Sequence, residues 1–228
     1  MNLSSVLCSR RIGGMGCWLF VALFVSLVSA YGQRYEIIPQ VGARFGGTME
    51  LAQASTPNFD AHLADSLSFG LAGGFRFDGE EGEGYDVIGF RWLRQNTHLG
   101  VKQDPLVPTP LNGASFRTAV TLDHFLGDFT HEFTEREGSA IQPFVTGSLG
   151  AVRMSAPASS ATRFAFGIGA GVKIFPATHW GFGFKIEYLP TLMHTELQRL
   201  VCVGGCVIVL NGGLMNQFEV SLGPAFRF

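Results

Sequence analysis

Hydrophobic and polar residues alternate with a period of two through most of this chain. The run nearest its end is the plainest case. Phe218, Val220, Leu222, Pro224, Phe226 and Phe228 alternate there with Glu219, Ser221, Gly223, Ala225 and Arg227. A period of two is that of a β-strand with two unlike faces. Seven earlier segments repeat it.

The first spans residues 35–46, with Tyr35, Ile37, Pro39, Val41, Ala43 and Phe45 on the apolar face and Glu36, Gln40, Gly42 and Arg44 on the other. The second, 65–77, sets Leu67, Phe69, Leu71, Phe75 and Phe77 against Ser66, Ser68, Gly70, Gly74 and Arg76. The third, from Tyr85 to about Thr97, sets Ile88, Phe90 and Trp92 against Gly89 and Arg91. The fourth, about 116–133, opens with Thr118, Val120 and Leu122 against Arg117, Thr121 and Asp123. Its phase falters at His124-Phe125, where a bulge is expected. The fifth runs over about 141–154. In the sixth, 164–175, Phe164, Phe166, Ile168, Ala170, Val172 and Ile174 oppose Ala165, Gly167, Gly169, Gly171 and Lys173. The seventh, 181–192, pairs Phe182, Phe184, Ile186 and Tyr188 with Gly183, Lys185 and Glu187, and the eighth covers about 213–228.

The links between segments alternate in length. Short ones fall near 78–84, 134–140 and 176–180, and long ones near 48–64, 98–115, 155–163 and 193–212. Strict alternation that begins with a long link predicts an all-β fold, an eight-stranded antiparallel up-and-down transmembrane β-barrel with its long loops outside the cell. A soluble eight-stranded barrel would carry its apolar face inside. Here glycine and charge share one face while phenylalanine crowds the other.

Composition agrees. The chain holds 21 Phe and 30 Gly in 228 residues, yet past residue 30 no apolar run approaches the ~18 residues of a membrane helix. Only helices and closed barrels satisfy every backbone group in lipid. Residues 1–30 form a cleavable signal peptide in this reading: Arg10 and Arg11 precede the apolar Trp18 to Val28, and Val28-Ser29-Ala30 suits cleavage. The barrel domain is then 31–228. The leader takes two of the 16 basic residues and none of the 18 acidic ones, leaving a net charge of −4. That balance offers no footprint for nucleic acid.

Cys8 and Cys17 leave with the leader, while Cys202 and Cys206 flank Val203-Gly204-Gly205. In an oxidising periplasm such a close pair reads as a disulfide across a hairpin turn. Metal binding competes poorly, because no further Cys or His pair completes a tetrahedral site. No metal or other cofactor is expected.

The aromatic last strand, the eight-segment layout and the leader resemble the small OmpA/OmpX-type outer-membrane β-barrels. The stretches 141–151 (IQPFVTGSLGA) and 164–175 also resemble ones common in the broad outer-membrane β-barrel superfamily. The resemblance is architectural and covers nearly all of the mature chain. It implies the outer membrane of a Gram-negative bacterium, contact with outer-membrane lipid and lipopolysaccharide, and handling by the barrel-assembly machinery. Phe218, Val220, Leu222, Phe226 and Phe228 would be the signal that machinery reads. The peptidoglycan-binding domain of OmpA has no counterpart before the end at Phe228, so cell-wall tethering is not expected.

The inward rows collect Arg44, Arg76, Arg91, Arg117, Lys173, Lys185 and Arg227 against Glu36, Asp123, Glu187 and Glu219. Buried charges pair or stay wet, so the first expectation is an interlocked ionic plug. The basic excess leaves a second, a narrow small-solute or anion channel. A third is a lipid-modifying outer-membrane enzyme. His62, Asp65 and Ser66 have the composition of the palmitoyl-transferring barrels, but the Asp-Ser pair lies too near the His. His124 and His194 lack the His-x-Ser of lipid A deacylases. No catalytic residue is assigned.

Arg153 and Arg163, near the outer rim, suit lipopolysaccharide phosphates. In the last long link, apolar Leu200–Val203 and Val207–Leu210 flank the cysteine turn. They form either an upward extension of the neighbouring strands or a docking edge for a surface ligand. The first reading is a non-enzymatic barrel that contributes to envelope integrity or surface interaction through its loops.

Overall fold

The computed structural model describes residues 34–53, 56–78, 84–101, 117–133, 139–157, 159–193, 199–201, 207–210 and 213–228. The leader and the cysteine pair lie outside these. Twelve strands are present among the described residues: β1 (Tyr35–Gly46), β2 (Thr48–Gln53), β3 (Thr56–Leu63), β4 (Ser66–Asp78), β5 (Tyr85–Val101), β6 (Arg117–Glu132), β7 (Ile141–Ala156), β8 (Ser159–Ile174), β9 (Trp180–Met193), β10 (Arg199–Val201), β11 (Val207–Leu210) and β12 (Gly213–Arg227). Eight of them, β1, β4, β5, β6, β7, β8, β9 and β12, are the segments the alternation picks out.

Those eight pair antiparallel in chain order, and β12 returns to β1 to close the ring. The seam holds one register from Glu36↔Arg227 to Gly46↔Gln217, with a break in the ladder between Ile37 and Val41. Closure removes the free edges of the sheet, the condition for it to stand in hydrocarbon.

The faces sort as lipid requires. Leu67, Ile168, Leu149 and Leu222 point outward and are 72%, 69%, 64% and 58% exposed, whereas the charged Arg44 and Glu219 are 0% exposed within the bore. Aromatic pairs mark two levels of this outer surface. Tyr35–Phe75 and Trp180–Phe182 lie toward the chain ends, and Phe69–Trp92 and Tyr188–Phe218 toward the long loops. Aromatic girdles at both interfaces bound the membrane-crossing band of such barrels.

Above the upper girdle the faces exchange. Leu99, Val120, Leu122, Leu126 and Val152 are buried inside, packed with Leu63, Leu189, Met193 and Met215. On the outer surface of the same strands stand Arg94, Asn96, Thr121, Asp123 and Arg153. The wall built by β5 to β8 outgrows the bilayer, and there it obeys the rule for water: apolar within, polar without.

This exchange corrects the reading of the fourth segment. β6 keeps one phase, in unbroken register with β5 from Arg117 to Glu132 and with β7 from Thr121 to Glu132, with no bulge at His124-Phe125. Val120 and Leu122 therefore face in, while Arg117 and Asp123 face out. Matching apolar residues to the outside misplaces them, because at that height the bore is the dry side.

The first long link, expected as a loop over 48–64, is instead the hairpin β2–β3. Gly46 and Gly47, with φ of 83° and 107°, turn the chain out of β1, a conformation that favours glycine. Leu63 N–H then donates to Gly47 C=O at 3.0 Å. β3 runs on beside the top of β5 through Ala61↔Val101 to Leu63↔Leu99, so the hairpin stands on the barrel wall. β10 pairs with β11, and β11 with β2 through Val209↔Ala52 and Leu210↔Leu51.

Candidate functional site: the barrel bore and its outer rim

Inward positions on facing strands bring residues far apart in sequence into contact, and the bore fills in tiers. At the end that holds the chain terminus, Glu36, Glu132, Lys173 and Arg227 interlock. Lys173 Nζ lies 2.7 Å from Glu132 Oε1 and also pairs with Glu36. Arg227 Nε donates to Glu36 Oε2 at 2.9 Å and Nη2 to Glu132 Oε1 at 3.2 Å. Arg76 Nε adds a 3.1 Å bond to Glu132 Oε2. Aromatic faces cover the guanidiniums, with Arg227 3.6 Å over Phe175 and Arg76 3.3 Å over Tyr85.

In the second tier Arg91 grips Glu187 with two parallel bonds, Nη1–Oε2 at 2.5 Å and Nη2–Oε1 at 2.7 Å. Asp128 lies beside it, 3.1 Å from Arg91 Nη2. Lys185 Nζ reaches Glu187 Oε2 at 2.9 Å, and Ser148 Oγ donates to Glu187 Oε1 at 3.0 Å. Fork-to-fork geometry of this kind fixes orientation as well as charge.

The third tier joins Arg44 to Glu219, which also accepts from Ser68 Oγ at 3.2 Å. Arg44 Nη1 lies 3.0 Å from His124 Nδ1. Gln217 Nε2 donates to Gln95 Oε1 at 3.1 Å, and Gln95 Nε2 to Ser66 Oγ at 2.9 Å. Above it sits the dry cluster around Leu122 and Met215.

The structure thus brings Glu36, Arg44, Arg76, Arg91, Lys173, Lys185, Glu187, Glu219 and Arg227 together inside. It does not bring Arg117 or Asp123 there. Asp123 is held on the outer surface by Arg94, Nε–Oδ1 at 2.7 Å and Nη2–Oδ2 at 2.9 Å, and by Trp92 Nε1 at 3.3 Å. Sequence reading missed Asp128, Glu132 and His124, all on the faltering half of β6. Continuing the strand at period two back from Glu132 would have found them. With these changes the three tiers hold six cations against five carboxylates, nearly balanced, where the sequence suggested a clear basic excess.

At the outer rim His62, Asp65 and Ser66 are each engaged separately. His62 Nδ1 lies 3.0 Å from Thr48 Oγ1, Asp65 Oδ1 accepts from Gly46 N–H at 3.3 Å, and Ser66 Oγ serves Gln95. No relay joins the three. Arg153 is exposed across the ladder from Asp123, and Arg163 Nη1 donates to Thr162 C=O at 3.0 Å. Phe218, Leu222, Phe226 and Phe228 are exposed on the lipid face of β12, with Val220 half-buried between them.

No family model matches the sequence, and no curated protein matches it either. Solved structures do. The outer-membrane protein OprG from Pseudomonas aeruginosa is similar over 86% of this chain and 98% of its own, at 11% identity and a TM-score of 0.56. Neisserial surface protein A is similar over 85% of this chain and 97% of its own, at 14% identity and a TM-score of 0.44. The outer-membrane protease OmpT from Escherichia coli covers 87% of this chain at 8% identity and a TM-score of 0.43. At these identities the likeness concerns fold alone.

Proposed function

We propose that this barrel, an eight-stranded one of the bacterial outer membrane with the small OmpA/OmpX-type architecture, is closed to ions and works through its extracellular ends. Its role in this reading is non-enzymatic: envelope integrity or surface interaction. The observation that carries the proposal is the filling of the bore. Three ionic tiers are followed by the dry cluster of Leu122, Leu126, Val152 and Met215. An ion passing that cluster would shed its water against hydrocarbon, which costs far more than a buried charge can recover unpaired.

Purified barrel reconstituted into planar bilayers gives the direct test. The expected record is flat, and discrete, reproducible current steps would overturn the closed bore. For the outer ends, cells lacking the protein are complemented with the full chain or with a chain deleted for Leu200–Leu210. Restored detergent resistance or surface binding by the full chain alone supports a role for that segment. Equal rescue by both removes it. Lipid A profiled from cells carrying H62A or S66A is expected to be unchanged.

The same reading assigns the partners. Arg153, with Arg94 and Asp123 on the outer surface above the aromatic girdle, would meet lipopolysaccharide phosphates at headgroup height. The β12 face of Phe218, Val220, Leu222, Phe226 and Phe228 would be what the assembly machinery reads.

A further inference from the structure

Between the first and second ionic tiers the bore holds a cavity of about 80 Å³, several times the ~10–15 Å³ that admits one water. Its floor follows from register. Lys173 lies opposite Gly183, Gly183 opposite Gly223, and Ser221 opposite Lys185 on one side and Gly42 on the other. Gln40 sits on β1 between Pro39↔Leu71 and Val41↔Phe69, and its backbone flanks Gly223. Two side-chain-free positions are therefore ringed by Lys173, Lys185, Ser221 and Gln40, all of which line the cavity.

The hydrogen-bonding capacity of this ring is lopsided. The carboxylates that border the cavity are already engaged. Glu36 serves Lys173 and Arg227, and Asp128 serves Arg91 with both oxygens. The donors are not used up. Gln40 is 8% exposed, and its Nε2 finds no protein acceptor. Lys185 carries three N–H groups and shares Glu187 with Arg91. The tiers above and below hold one more cation than carboxylate. Surplus donors and surplus positive charge around a space within the bore call for an occupant that accepts hydrogen bonds and carries negative charge.

We propose that this cavity is a binding site for one small monovalent anion of halide size, held over Gly183 and Gly223 by Lys185, Lys173, Gln40 and Ser221. The anion is taken up as the barrel closes and serves as a fixed counter-ion. It is not in transit, because the dry cluster blocks the bore above it.

Crystals of the full barrel grown in bromide test the site by anomalous diffraction at the bromine edge. The expected result is an anomalous peak in contact with Lys185 Nζ and Gln40 Nε2. Density there without anomalous signal means water alone and overturns the proposal. In solution, the unfolding temperature of the wild type should be higher in chloride or bromide than in gluconate, which is too large to enter. That difference should vanish in K185M and in G183A. A Cβ at residue 183 finds nothing nearer than Gly223 C=O at 4.0 Å, so G183A narrows the space without straining the wall. If K185M does not fold, Q40L replaces it. A halide effect of equal size in all variants overturns the site. The inference rests on the closed bore, and the two fail differently. Bromide at several levels of the bore together with current steps removes the closed bore, whereas no bromide in a silent barrel removes only the anion.

Discussion

Arg44 on the first barrel strand and Glu219 on the last are direct partners in the closing ladder, and their side chains form an ion pair at 0% exposure. Glu36 and Arg227 repeat the arrangement eight residues away on each strand, at 2.9 Å. The seam that turns the sheet into a barrel is thus clasped at both heights by charge. Breaking a buried pair from one side strands the other ion, which costs about 3–5 kcal/mol, whereas replacing both partners by apolar groups can be nearly neutral. E219Q or R44M alone should lower the urea stability of the lipid-folded barrel by that order. The double variant R44M/E219M should recover most of the loss. A double variant as unstable as the sum of the singles would show that the pair does not act as a unit.

The exchange of faces on β6 predicts opposite chemistry at adjacent positions. Thr121→Cys, half-buried on the outer face beside Leu122, should react quickly with a membrane-impermeant maleimide added to intact cells. Leu122→Cys, at 0% exposure inside the wall, should react only after unfolding. Equal labelling of the two would contradict the exchange of faces on β6.

The lipid face offers a depth-dependent test. Leu222 is 58% exposed on β12, midway between the Tyr188–Phe218 pair and the terminal Phe228. Arginine near the bilayer midplane of a barrel costs about 2–4 kcal/mol, falling toward 0–1 at the interfaces. L222R should therefore destabilise the barrel in vesicles by several times more than F228R. Similar losses at both positions would contradict this placing of the membrane band.

The proposed assembly role of the last strand separates cell biology from stability. Removing Phe228 takes away one aromatic side chain at the lower rim. It also removes two backbone bonds with Tyr35, at 3.2 and 3.0 Å. Folding of purified protein into vesicles should fall modestly, while insertion in cells should drop at least several-fold. Losses of equal size in the two settings would make Phe228 a structural residue only.

Much of this architecture could be read before any coordinates, and the limits of that reading have one physical origin. Strands inside the bilayer obey a single rule, so the alternation locates β1, β4, β8, β9 and β12 to within a few residues, with their inward charges on the correct face. β6 crosses from hydrocarbon into water partway along its length. The rule inverts at that crossing, so the period alone sets Leu122 and Asp123 on each other's side. The same inversion hides Asp128, Glu132 and His124, and with them two of the five carboxylates that balance the bore. The hairpin β2–β3 escaped for another reason. Its pairing depends on the top of β5 and on β11, contacts distant in sequence that no local period announces.

The junction of β11 with β2 has a consequence for how the cell surface is presented. The earliest and latest excursions of the chain are neighbouring ribbons of one continuous fabric, although some 150 residues of sequence separate them. A molecule landing there would touch a composite patch. Sequence drift in either ribbon would be felt in the shape of both, so variation at the two ends of the protein should be inherited together.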